Sequence, residues 1–173
     1  MFRWYQNAKK CYAYLADVST PNDEADFQAD QSTWEAAFQK SRWFTRGWTL
    51  QELIAPAIVE FYSKDGKQLG DKKSLEAPIH KITRIPFKAL QGNPFSDFSI
   101  AERKEWAAQR QTTEQEDIVY CLIGLCEVSM PLLYGEGKEA AQTRLETAIK
   151  EFSYGSEIKY REGRLYLTCL GLY

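Results

Sequence analysis

The chain has 173 residues, 44% of them hydrophobic, with 22 basic and 24 acidic side chains that leave a formal net charge of −2. That length suits one domain with its own core. The evenly mixed charge lacks the basic footprint of a nucleic-acid binder, and no apolar run approaches the roughly 20 residues of a bilayer span. Met1-Phe-Arg-Trp-Tyr-Gln6 does not have the layout of a secretory signal. A cytoplasmic protein is therefore expected, with neither nucleic acid nor membrane among its partners.

In chain order, residues 1–9 read as the last turns of a helix with Phe2 and Tyr5 inward. Cys11-Tyr-Ala-Tyr-Leu-Ala-Asp-Val18 is a nearly continuous apolar run, the pattern of a strand covered on both faces. A polar loop follows to about Asp30. Ligands in open α/β sheets gather beyond the carboxyl ends of strands, which makes Asp17 a candidate site residue as well as a candidate turn residue. Ser32-Thr-Trp-Glu35 has the form of a capping box, with Trp34 and Phe38 on one face of the helix it opens.

Gly47 separates that helix from a shorter one over residues 48–55, stopped by Pro56. At about 100° per residue, Leu50, Leu53 and Ile54 form an apolar stripe. Trp48 and Glu52 then share the opposite face, either as a packed aromatic beside a surface acid or as the wall of a cleft. Ile58-Val-Glu-Phe-Tyr62 reads as a second strand closed by a Lys64-Asp-Gly66 turn, and the helical run between makes it a parallel neighbour of the first. Residues 71–84 are read as helix and 85–98 as loop.

Ile100–Gln109 is read as a helix with Trp106 inward. Thr113-Glu-Gln-Glu116 is read as a second capping box opening a helix over 118–125, and Lys138–Phe152 as an amphipathic helix with Ala141, Leu145, Ala148 and Phe152 aligned. Leu50, Leu53, Trp106, Leu122, Leu125 and Leu145 are the expected core. Residues 153–173 form a separate tail in which Arg164–Leu170 is a strand or irregular. Cys11, Cys121, Cys126 and Cys169 lack paired spacing and His80 is the single histidine, so no metal site is expected.

Three segments carry a resemblance: Phe2-Arg-Trp-Tyr-Gln6 with Cys11–Asp17; Ser41-Arg-Trp-Phe-Thr-Arg-Gly-Trp-Thr-Leu-Gln-Glu-Leu-Ile-Ala-Pro56; and Glu116-Asp-Ile-Val-Tyr-Cys-Leu-Ile-Gly-Leu125 with Met130-Pro-Leu-Leu-Tyr-Gly-Glu-Gly137. In order and spacing, residues 1–152 resemble the fungal heterokaryon-incompatibility domain. The family's usual opening block, with its Ser-His-x-Trp-Gly element, does not occur, and Glu114 stands after Thr112-Thr113 where a basic residue is usual. The resemblance implies a partial domain acting as a cell-death effector of non-self recognition. It also implies a distant likeness to Toll/interleukin-1 receptor (TIR) domains. The expected fold is thus α/β, a truncated flavodoxin-like three-layer sandwich with a short parallel sheet and extra C-terminal helices.

Some of those domains cleave the nicotinamide–ribose bond of NAD with one glutamate in a Trp-x-x-x-Glu-Leu helix. Trp48-Thr-Leu-Gln-Glu52-Leu53 matches that pattern. By this resemblance Glu52 is the candidate catalytic residue, and Trp48, Ser41, Arg46 and Asp17 are candidate substrate contacts. NAD would be a substrate and no cofactor is needed. Glu52 is expected near the carboxyl end of the Cys11–Val18 strand, in a depression shared with Trp48. The other expectation is a module without enzymatic activity, working by self-association or by docking to a receptor, or an inactive remnant.

Overall fold

The computed structural model describes residues 2–20 and 30–161. Among the described residues, three strands are interspersed with helices in the first half and the rest is helical. Helix α1 (Phe2–Asn7) leads into β1 (Cys11–Leu15). Helix α2 (Asp30–Gln39), a 3-10 turn (Arg42–Thr45) and α3 (Thr49–Ile54) cross over to β2 (Val59–Ser63). As expected, β1 and β2 are parallel neighbours, in register from Cys11↔Val59 to Leu15↔Ser63. An Asp65-Gly66 turn, with Gly66 at φ +77°, returns the chain as β3 (Gln68–Asp71), antiparallel to β2 with a register shift at Phe61/Tyr62.

That third strand replaces the start of the helix expected over 71–84. The hydrogen-bonded turn at Asp71–Ser74, in which Asp71 Oδ1 accepts from Lys73 N–H and Ser74 N–H, delays the helix α4 to Glu76–Thr83. Next come α5 (Phe87–Leu90), a 3-10 turn (Phe95–Asp97) and α6 (Ile100–Glu105). The last of these opens on a complete Ser99–Glu102 capping box. The loop expected over 85–98 thus contains two short helical turns.

The core lies under one face of the sheet. Phe61 is fully buried, with its ring 5.4 Å from Phe38, 5.5 Å from Trp43 and 6.1 Å from Phe44. The six residues expected in the core are all buried. The strand β1, by contrast, is covered on one face only: Ala13 and Leu15 are buried while Tyr12 and Tyr14 are 64% and 59% exposed. Its apolar run is therefore a period-2 strand whose outer residues are aromatic rather than polar, which hides the alternation from composition.

The α7 (Asp117–Tyr120) and α8 (Lys138–Arg161) helices pack together. The expected helix over 118–125 is α-helical only to Tyr120 and continues as turns to Glu127, which has φ 57°. Helix α8 passes the expected end at Phe152, and its buried stripe is narrower than predicted. Ala141 and Leu145 are buried, Ala148 is half-buried and Phe152 is exposed. The Ser32 cap and the Arg164–Leu170 segment lie outside what the structure describes in side-chain detail. Among the described residues, no helix is long and apolar enough to cross a membrane.

Candidate active site

Helix α3 is buried almost all round. Thr49, Leu50, Gln51, Leu53 and Ile54 are inside, and Glu52 is its half-buried exception. The helix is anchored from two directions. Gln51 Nε2 donates to the Cys121 carbonyl at 2.7 Å. At the other end the buried Lys72 ammonium donates to the Leu53 and Pro56 carbonyls, satisfying acceptors that the helix end leaves open. Burial pulls that lysine down to about 8.

Glu52 Oε1 accepts a hydrogen bond from the Tyr5 hydroxyl at 3.3 Å. Burial raises the Glu52 carboxyl above its ordinary value, and this outweighs the Tyr5 hydrogen bond and the positive charges of Arg46 and Arg110, which act the other way. Glu52 moves upward, whereas Asp17, Glu60, Asp71, Glu102, Glu116 and Glu146 all move down. Burial also raises the Cys11 thiol, and the Glu52 charge adds to that shift. Because Cys11 is the first residue of β1, Glu52 lies toward the amino end of that strand, not the carboxyl end as expected. Helix α3 leads directly into the amino end of β2, the parallel neighbour of β1, and α1 brings Tyr5 against it there.

Arg110 was not anticipated. It is buried, donates through Nη1 to the Arg46 carbonyl (2.7 Å) and to Thr49 Oγ1 (2.8 Å), and its Nη2 has no protein partner. Burial lowers its guanidinium to about 10, so it is still a cation at neutral pH. An arginine just past the helix read over Ile100–Gln109, in a run of polar residues, gives no sequence signal of burial.

The remaining candidates fall into separate places. Trp48, half-buried, lines a groove of about 1330 Å³ together with Phe2, Gln51, Phe95, Ile123 and Met130. Ser41 lines a different cleft of about 620 Å³ with Arg84, Trp106 and Arg110. Glu52 lines neither of these two. Asp17, just past the carboxyl end of β1, accepts from Ser41 Oγ (2.7 Å) and from Arg42 N–H (2.8 Å). The Ser41 oxygen in turn accepts from Trp43 N–H, capping the 3-10 turn. Asp17 and Ser41 therefore form one cluster, tying β1 to the turn that carries Arg46. Arg46 is exposed, and it alone of the four candidate contacts influences the charge of Glu52.

Glu116 does not complete a capping box with Thr113; its buried Oε1 accepts from Gly135 N–H and Gly137 N–H, both at 2.9 Å. These glycines have φ of +92° and +83°, a backbone that turns both N–H groups toward one oxygen and favours glycine. Tyr120 adds bonds to Leu133 and Glu136, Tyr134 donates to Asp117, and Arg144 ties Glu136 and the Pro131 carbonyl to α8. The Leu-Leu-Tyr-Gly-Glu-Gly segment is thereby fixed to α7 and α8.

With this geometry established, comparison with known proteins gives one informative match. The chain is 56% identical over 149 residues to the vegetative incompatibility protein HET-E-1 of Podospora anserina, a match that covers 86% of this chain. It is related to a fungal vegetative incompatibility protein. The match spans 11% of that relative's length. No family profile matches the chain, and no solved structure matches it.

Proposed function

We propose that the chain is a heterokaryon-incompatibility domain of TIR-like descent, that it serves as a cytoplasmic effector of fungal non-self recognition ending in cell death, and that Glu52 is the residue through which it acts on a nucleotide such as NAD. The relationship to a vegetative incompatibility protein supports the recognition role. The observation that carries the chemical part is the upward-shifted, half-buried Glu52 carboxylate on a helix otherwise buried and tied down. Perturbed carboxyls of this kind concentrate where a protein does chemistry.

Cleavage of an N-glycosidic bond passes through an oxocarbenium-like state. A carboxylate held in a shielded site stabilises the developing positive charge far better than one in water. Nicotinamide leaves as a neutral molecule, so one acid suffices. Arg46 and Arg110 favour the ionised form of Glu52, and the Tyr5 hydroxyl fixes its oxygen. In this reading the exposed Arg46, whose charge reaches Glu52, meets a phosphate of the substrate, whereas Trp48 lines a separate groove. Asp17 and Ser41, bonded to each other, position the turn that carries Arg46. The proposed partners are a nucleotide substrate and a receptor or further copies of the domain.

Expression of the chain in a filamentous fungus tests this reading, with Glu52→Gln as the comparison because it keeps shape and removes charge. Cell death with the unaltered chain, lost in the variant at equal protein level, is the expected result. Killing that survives Glu52→Gln would remove the chemistry and leave docking or self-association as the effector mechanism.

A further inference from the structure

We infer that the cleft of about 620 Å³ between the end of α2, the 3-10 turn, α4 and α6 binds a small phosphate monoester, with Arg110 as the cation that receives the phosphate. Glu52 does not line this cleft, so the inference stands apart from the chemistry proposed for that residue.

Three buried cations occur among the described residues, and the fold satisfies two of them. Lys72 donates to the Leu53 and Pro56 carbonyls, and Arg103 pairs with Glu127 at 3.3 Å. Arg110 is 6% exposed, and among the described residues no carboxylate forms an ion pair with it. Its bonds to Arg46 and Thr49 both leave from Nη1, while Nη2, which carries two N–H donors, has no acceptor. The other buried atoms without a partner belong to neutral side chains, Thr20 and Gln51, or to Arg103, whose charge is already paired. Buried charges are ordinarily paired and their donors filled. An arginine left in this state on the wall of a cleft marks the place of an anion.

The rest of the lining suits an anion with an organic body. Ser41, Phe44, Trp106 and Arg110 are its buried part, and its exposed rim carries Lys40 and Arg84 beside Glu102 and Glu105. Glu102 is turned to its own helix end, where Oε2 accepts from Ser99 N–H and Oγ. Three cations therefore face two acids, one of which is already bonded. A doubly charged phosphate matches that balance better than a singly charged carboxylate, and arginine suits its oxygens. Half-buried Ile82 and Pro86 add apolar wall, and the volume is that of a small-molecule pocket. An anion on Arg110 would also reach Glu52. The Arg110 charge lowers the Glu52 carboxyl, so neutralising that charge raises it.

Isothermal titration of the 173-residue chain with AMP, inorganic phosphate and adenosine tests the inference. AMP is expected to bind, phosphate to bind more weakly and adenosine not to bind. Arg110→Gln should weaken AMP binding by about tenfold or more, the scale of a charge-assisted hydrogen bond. Lys40→Ala and Arg84→Gly, on the exposed rim, should each weaken it several-fold; glycine suits the φ of 61° at position 84. If Arg110→Gln loses its far-ultraviolet circular dichroism, the two rim variants decide. Glu52→Gln should leave AMP binding unchanged, and carboxyl-carbon NMR should show the Glu52 titration moving up when AMP is bound. No AMP binding at about 1 mM, or binding that Arg110→Gln and both rim variants leave intact, overturns the inference. Loss of AMP binding in Glu52→Gln alone overturns it too, and returns the nucleotide to the site proposed above.

Discussion

Glu52 and Glu116 are both shielded carboxylates on or beside short helices, and the fold treats them oppositely. Glu116 is 2% exposed and receives two main-chain N–H donors on one oxygen. Those bonds, led by that of Gly137, hold its carboxyl below the ordinary range. Glu52 receives a single long hydrogen bond from a tyrosine, and burial pushes its carboxyl up. The first acid is fully used in holding a loop. The second has no main-chain donor, and in the proposed reading its charge meets the positive charge that a substrate develops. Shielding alone does not raise a carboxyl; shielding with few donors does.

The comparison can be broken most forcefully at Glu116. Glu116→Ala leaves the Gly135 and Gly137 N–H groups without their acceptor. It should lower the melting temperature by about 5 °C or more, with faster amide exchange at both glycines. Glu52→Ala should cost far less, and a larger loss at Glu52 than at Glu116 would reverse the assignment of roles.

Gly124→Ala comes next. A Cβ at Gly124 would stand 2.4 Å from Phe2 Cβ, so α1 must move and take Tyr5 from Glu52. A destabilisation of about 1–3 kcal/mol should accompany a changed Glu52 titration, readable by carboxyl-carbon NMR, because both the burial and the Tyr5 hydrogen bond that set it depend on α1. An unmoved Glu52 titration would show that α1 does not position it.

The pH dependence of stability separates the two acids by sign. The folded pKa of Glu52 is raised, so between its unfolded value near 4.5 and its folded value the native state binds more protons. Its contribution therefore falls as pH rises through that window. The folded pKa of Glu116 is depressed, so its contribution is present above the unfolded value and is lost as pH falls through the folded one. Melting curves of Glu52→Gln and Glu116→Gln against the unaltered protein should diverge in opposite directions between acid and neutral pH. Parallel curves would refute the contrast.

The smallest effect belongs to Tyr5→Phe. Removing one part-exposed hydrogen bond should cost under about 1 kcal/mol and raise the Glu52 pKa, because that bond lowers it.

The fold was readable where side-chain period and chain order were enough. Parallel pairing of β1 with β2 follows from two apolar runs bracketing a helical segment, and the buried leucines follow from helical phase. What could not be read depended on contacts between distant segments. Asp17 and Ser41 were recognised separately, but only the folded chain joins them and turns them away from Glu52. The acid at 116 looked like a cap because Thr113 sits at capping distance in sequence, whereas its real partners are two glycine N–H groups some 20 residues later. Burial of Arg110 depends on the carbonyl of Arg46 across 64 positions, beyond any local pattern.

The role proposed for Glu52 is that of a carboxylate acting on an N-glycosidic bond. Nicotinamide release from NAD by the purified chain, beside Glu52→Gln folded to the same circular dichroism, tests it most directly. Turnover by the unaltered chain is expected, with a loss of about 100-fold or more in the variant, the scale of removing one electrostatic stabiliser. Equal rates in the two proteins, or no release by either, would contradict it.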